Sequence, residues 1–222
     1  MLVVIVATQV AGTEHDSSNP ALADRLADPE GERSAATWIL AHYGVVTVKT
    51  ESAAAKRYVA VEHLPAEPFT ITEINLRGQE FDEGGLSFLP QLANLRKLDL
   101  SATTVGETGL KYVGQVPTLI SLSMRGNRFS PESYRLLQNG DRILTCTVSG
   151  SRAFNDTALD VMSQTMPNLR TLAVGGTGVS DEGLKAVSRI KSLRSFIASG
   201  TDVSDAAVEE LQLALPDCNI RR

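Results

Sequence analysis

"LRTLAVGGTGVSDEGLKAVSRIKSLRSFIASGTDVSD", residues 169–205, contains one pattern of apolar and small residues twice. The second copy follows the first at a distance of 24 residues. The matched pairs are Leu169 with Leu193, Leu172 with Phe196, Gly176 with Gly200, Val179 with Val203, and Leu184 with Val208. A fixed period of this length predicts a repeat architecture, in which each unit packs against its neighbours.

The same pattern extends towards the N-terminus and predicts six units. Each unit has an apolar residue, further apolar residues three and five positions later, and a small residue after seven. The first positions lie 24, 24, 24, 26 and 24 residues apart, at Ile71, Leu95, Leu119, Ile143, Leu169 and Leu193. A shortened seventh strand is predicted around Cys218 and Ile220.

Within each unit the apolar spacing changes from that of a strand to that of a helix. The alternation in residues 169–174 predicts a short strand with one buried face. Leu184, Val187 and Ile190 recur at three-residue spacing, as expected for a helix that packs on a core. A single strand–turn–helix unit cannot bury its own apolar edges. We therefore expect the units to stack into one core between a parallel sheet and a row of helices.

These units resemble leucine-rich repeats over about residues 69–220. "GGTGVSDEGLKAV" (175–187) and "SGTDVSDAAVEEL" (199–211) are similar to a bacterial, planctomycete-like subclass related to cysteine-containing repeats. The resemblance implies an α/β solenoid, a right-handed superhelix with parallel strands on the concave face and helices on the convex face. One departure is that Gly, Ala or Thr stands after the strand, where the general consensus has Asn.

The region before the repeats divides into three predicted segments. Residues 1–12, "MLVVIVATQVAG", are apolar, either the remnant of a signal or anchor or a segment that packs on the cap. Residues 13–33 predict a flexible linker, residues 34–68 a small α+β N-terminal cap containing Trp38, and residues 69–222 the repeats. The apolar run is shorter than the roughly 20 residues that span a bilayer. Cytoplasmic and exported locations both stay open, and membrane contact is expected only if this run is an anchor.

Composition argues against several classes of ligand. A net charge of −5 and an aromatic content of 5% provide neither a basic footprint nor a stacking platform, so no nucleic-acid partner is expected. His15, His42 and His63 lack neighbouring ligands at metal-binding spacing. Cys146 and Cys218 are predicted to be small core residues. We therefore expect no metal and no cofactor.

No catalytic motif emerges from the sequence. "GGTG" at 175–178 lies between a strand and a helix, as a phosphate loop would, but the equivalent positions of other units read "SGTD" and "SATT". These glycines are therefore interpreted as turn residues. Acidic pairs such as Asp181–Glu182 are explained by the favourable interaction of negative charge with a helix N-terminus. We expect no enzymatic activity, and the alternative is a hydrolase that uses these acidic helix starts.

The candidate site is the charged half of the predicted concave face, near the cap. Its residues are Glu73, Asn75, Arg77, Lys97, Asp99 and Arg125. The other half carries Ser, Thr and Ala, with Ile197 as the larger apolar residue. Arginine is among the residues that concentrate binding energy in interfaces, so Arg77 and Arg125 are the strongest candidates. The alternative is that these are solvated sheet positions without a ligand.

The sequence thus predicts a non-enzymatic protein–protein interaction domain that binds a protein partner on its concave sheet. Two alternatives stay open. The chain is an adaptor or substrate-recognition subunit that works with a separate effector chain, or an envelope-tethered structural protein.

Overall fold

A computed structural model describes residues 28–222 of the chain. The predicted apolar segment 1–12, and residues 13–27 of the predicted linker, lie outside the described residues. Nine strands of the described part form one sheet in the order β2-β1-β3-β4-β5-β6-β7-β8-β9. The strands are β1 Val45–Thr50, β2 Lys56–Tyr58, β3 Phe69–Asn75, β4 Lys97–Asp99, β5 Ser121–Ser123, β6 Thr145–Thr147, β7 Thr171–Ala173, β8 Ser195–Ile197 and β9 Asn219–Arg221.

From β3 to β9 the strands are parallel and lie in the register that the sequence period predicts. Ile74 pairs with Leu98, and the row continues through equivalent apolar residues to Ile220. At the other edge, β1 pairs antiparallel with both β2 and β3. The sheet therefore continues from the repeats into a hairpin formed by residues 45–58.

Helical segments cover the convex side of the sheet. The α-helices are α1 Pro29–Ala41, α2 Glu107–Gly114, α3 Asp156–Thr165, α4 Asp181–Val187 and α5 Asp205–Ala214. Four 3₁₀ segments complete this layer, at Val61–His63, Glu83–Gln91, Pro131–Leu136 and Gly140–Arg142. Solvent-inaccessible apolar side chains run without a break between the two layers, from Ile39 in α1 to Leu211 in α5. The structure confirms the predicted α/β solenoid.

The third unit differs from its predicted helix. The segment after Ser130 is 3₁₀ rather than α-helical, and Ser130 makes no side-chain cap to its backbone. Its hydroxyl instead contacts the Ser133 hydroxyl at 2.7 Å and donates to Glu107 Oε1 at 3.1 Å. The serine thus links two neighbouring repeats.

Helix α1 begins at Pro29, so residues 29–33, which the sequence predicted as linker, are helical. The cause is local, because the Asp28 carboxylate accepts the Glu30 amide at 3.1 Å and Pro29 occupies the first turn. Trp38 of this helix is half-buried against the rings of Phe81 and Phe88, with centroid distances of 5.5 and 5.4 Å. Helix α1 therefore packs on the beginning of the first repeat.

A row of polar residues lies just after the turn that follows each strand. Asn127 is buried and its Nδ2 donates to the Leu100 carbonyl at 3.0 Å, and Ser151 Oγ donates to the Met124 carbonyl at 3.2 Å. Both carbonyls belong to the preceding repeat. The prediction that the consensus Asn is absent after the strand is therefore wrong for the third unit, where Asn127 holds this position. Thr103, Thr177 and Thr201 hold the same position and bond within their own repeats.

Candidate binding site on the concave face

The parallel register brings the predicted concave-face residues into two columns. One column runs Glu73, Lys97, Ser121, Thr145, Thr171 and Ser195. The other runs Asn75, Asp99, Ser123, Thr147, Ala173 and Ile197. Since paired strands lie about 4.8 Å apart, neighbours within a column are close enough to contact one ligand together.

A depression of about 270 Å³ lies at the charged end of these columns. It brings together four of the six predicted residues, Glu73, Asn75, Lys97 and Asp99. The remaining lining comes from Ile74 and Leu98 of the strands, from the small hydroxyls Ser121 and Ser123, and from the hairpin residues Val45, Thr47 and Arg57. The hairpin residues were not predicted from the sequence, because their antiparallel pairing lies outside the repeat period.

An exposed ion pair forms one wall of this depression. Lys97 Nζ lies 2.6 Å from Glu73 Oε1, and Thr47 Oγ1 donates to Glu73 Oε2 at 3.5 Å. The side chains of Lys97 and Glu73 are 61% and 40% exposed. A pair this exposed contributes only about 0–1 kcal/mol to folding, so a partner can re-pair either charge at little cost.

Asn75 and Asp99 are held by the backbone at the upper end of their strands. Asn75 Oδ1 accepts the Arg77 amide at 2.9 Å, and Asp99 Oδ1 accepts the Ser101 amide at 2.8 Å. The second carboxylate oxygen of Asp99 has no hydrogen bond within residues 28–222, although it borders the depression. Fixed side chains of this kind lose little conformational freedom when a ligand binds.

Arg77 and Arg125 lie apart from the other four predicted residues. Both are exposed, and both follow the ends of their strands at the rim of the concave face. They do not line the depression. Ser101, the residue of the second unit that corresponds to them, is 2% exposed and contacts the Ser123 hydroxyl at 2.8 Å.

The other chemically reactive groups lie away from this site. Burial raises the pKa of the Cys146 thiol to about 12, as expected for an inert core cysteine. Burial, opposed by a hydrogen bond from the Ile71 amide, raises the pKa of Glu32 in α1 to about 7. In the described part of the chain no group of three or more His, Cys, Asp or Glu is placed to hold a metal ion. No helix between residues 28 and 222 is long and apolar enough to cross a membrane.

Comparison with known proteins identifies the repeat. A family model described as "Leucine Rich repeat" matches residues 165–188, which span the last residue of α3, β7 and all of α4. The fold is a leucine-rich repeat solenoid. No curated protein matches the chain.

Solved leucine-rich repeat structures resemble the solenoid. Internalin C2 of Listeria monocytogenes shares 15% identity at a TM-score of 0.50, and the match covers 89% of this chain and 84% of the internalin. A leucine-rich repeat protein of Leptospira interrogans shares 21% identity at a TM-score of 0.48, covering 68% of this chain and 37% of that protein. The present chain thus spans little more than a third of the Leptospira protein.

Proposed function

We propose that this leucine-rich repeat solenoid is a non-enzymatic protein–protein interaction domain whose partner binds the cap end of the concave face. The observation that carries this proposal is the depression shared by the first repeats and the hairpin. There, both signs of charge and the half-buried hydroxyls of Ser121 and Ser123 lie side by side on paired strands. Partner side chains can replace the weak Lys97–Glu73 pair, while the pre-arranged strands limit the entropic cost of binding.

Two assignments accompany this proposal. Helix α1 and the hairpin act as the N-terminal cap, because β1 pairs with the side of β3 that faces away from the other repeat strands. The repeats belong to the bacterial subclass related to cysteine-containing repeats. The Gly-Thr-x-Val sequences at 176–179 and 200–203 support this second assignment.

Paired alanine variants test the site directly. Glu73→Ala/Lys97→Ala removes the ion pair in the depression, and Glu182→Ala/Lys185→Ala removes a comparable exposed pair on the convex face. Neither double variant changes the net charge. We expect wild type and the convex variant to capture the same partner from a lysate of the source organism, and the concave variant to lose it.

Equal capture by both variants would place the binding surface elsewhere. Loss of the partner from the convex variant alone would assign it to the helical side. Matching thermal unfolding curves of the three proteins provide the necessary control, since an exposed pair contributes only about 0–1 kcal/mol to stability.

A further inference from the structure

Four exposed arginines at the upper rim of the concave face have no anionic partner. They are Arg77, Arg125, Arg128 and Arg152. Within residues 28–222 none of these guanidinium groups forms an ion pair. Of the other exposed arginines, Arg135, Arg189 and Arg222 each pair with an aspartate or glutamate, whereas Arg96 and Arg170 form no ion pair within residues 28–222. The four rim arginines are distinguished by their shared place beside the turns that follow the strands.

These four arginines, here called the rim strip, occupy related places in the first, third and fourth repeats, and the second repeat has Ser101 at the corresponding position. Arg77 and Arg125 directly precede a turn glycine, and Arg128 and Arg152 each follow one by two residues. The turns themselves are hydrogen-bonded side by side, from Gly78 to the Ser101 carbonyl and onwards to the fourth unit. Three repeat intervals of about 4.8 Å give the strip a length of about 15 Å. This matches an extended peptide of about four or five residues.

Two carboxylates near the strip, those of Glu107 and Asp156, hold neighbouring repeats together. Glu107 Oε1 accepts the Ser133 hydroxyl at 2.7 Å, and the Asp156 carboxylate accepts both the amide and the hydroxyl of Ser180. Glu80, which is exposed in the first unit, makes no ion pair with Arg77. The rim is therefore locally cationic in a chain whose net charge is −5.

We propose that the rim strip binds an acidic segment of the protein partner, with glutamate or aspartate carboxylates on the guanidinium groups. Arginine suits this role, since its planar group offers paired donors to a carboxylate. The inference rests on the proposed function and deepens it by naming the chemistry of the partner. A short acidic peptide fits within the strip itself, whereas a nucleic-acid duplex is wider and would extend over the depression, where Glu73 and Asp99 repel its phosphates.

A labelled hexaglutamate peptide is the probe, and its binding at low ionic strength is followed by fluorescence anisotropy. The test variant is Arg128→Gln/Arg152→Gln. The control, Arg96→Gln/Arg170→Gln, removes the same charge from two exposed arginines that precede their strands at the opposite rim. We expect the test variant to bind at least about fivefold more weakly and the control to match wild type. A hexaglutamine peptide should not bind.

Equal weakening in both variants would overturn the inference, since it would indicate unspecific attraction. Absence of hexaglutamate binding to wild type would also overturn it. Tighter binding of a short DNA duplex through the same arginines would assign the strip to nucleic acid instead. These outcomes are independent of the Glu73/Lys97 capture experiment. If the Glu73→Ala/Lys97→Ala variant loses the partner but wild type does not bind hexaglutamate, the proposed function is supported and only the inference of an acidic segment is overturned.

Discussion

At the scale of single residues, the turn after each strand shows how the backbone selects amino acids. Gly78, Gly126, Gly150, Gly176 and Gly200 adopt φ values between 66° and 75°. Ala102 occupies the same place in the second unit, with φ 54°. A left-handed conformation costs a residue with a Cβ about 1–2 kcal/mol, so the second turn is strained relative to the others.

Ala102→Gly is therefore expected to stabilise the protein. The strain energy released in the folded state exceeds the additional entropy cost of ordering glycine, so we expect the free energy of unfolding to increase by about 0.5–1 kcal/mol. Urea denaturation measures the difference. Ala60→Gly, at φ −146°, is the control and should lower the stability. A loss of stability in Ala102→Gly would show that the backbone at Ala102 is not strained.

Glu32 makes the stability depend on pH. The residue is 2% exposed, its Oε2 accepts the Ile71 amide at 2.8 Å, and its Oε1 has no hydrogen-bond partner among residues 28–222. Burial, and to a smaller extent the charge of Asp28, raises its pKa from 4.5 to about 7 in spite of that hydrogen bond. Between these two pH values the folded state holds more protons than the unfolded state. The contribution of Glu32 to stability therefore falls as the pH rises from 4.5 to about 7, and levels off above that range.

Glu32→Gln should remove this slope. As the pH rises from 4.5 to about 7, we expect the unfolding free energy of the variant to increase relative to that of wild type by about 1–3 kcal/mol. The reason is that glutamine does not ionise. Urea denaturation at several pH values, within and above the window, measures the shift. A constant difference at all pH values would show that Glu32 ionises normally in the folded protein.

At the scale of elements, neighbouring repeats are joined through the starts of their helices. Asp156 Oδ1 accepts the Ser180 amide at 2.8 Å, and Asp181 Oδ1 accepts the Ser204 amide at 2.6 Å. The bonds to Ser204 hold the pKa of Asp181 below its usual value. The acidic helix starts, which the sequence analysis explained by the helix dipole alone, therefore also connect each helix to the next.

Close packing between elements depends on Gly114 at the end of α2. A Cβ added there would overlap the carbonyl oxygen of Leu136 in the adjacent 3₁₀ segment. Gly114→Ala should therefore destabilise the protein by about 1–3 kcal/mol, because backbone must move. Thermal and urea unfolding measure the loss. Gly84→Ala, where the nearest atom would be Asp82 Oδ1 at 3.4 Å, should change stability far less. Equal effects would contradict close packing at Gly114.

At the scale of the whole molecule, the period of 24 residues was sufficient to predict the parallel register and both concave columns. Pairing of Ile74 with Leu98, and of Glu73 with Lys97, follows directly from that period. Residues outside the period were not predictable in this way. Thr47 and Arg57 reach the depression through an antiparallel hairpin, and Asp28 begins α1 within a stretch whose composition is typical of a loop. Local capping and long-range antiparallel pairing leave no repeating signal in the sequence.

Site-specific photocrosslinking can show whether the cap end of the concave face binds a protein partner. A photoreactive residue replaces Ser121, which lines the depression, or Glu209, which is exposed on α5. We expect Ser121 to yield a covalent adduct with a partner protein in the source lysate, and Glu209 to yield none. An adduct from Glu209 alone, or from neither position, would contradict this expectation.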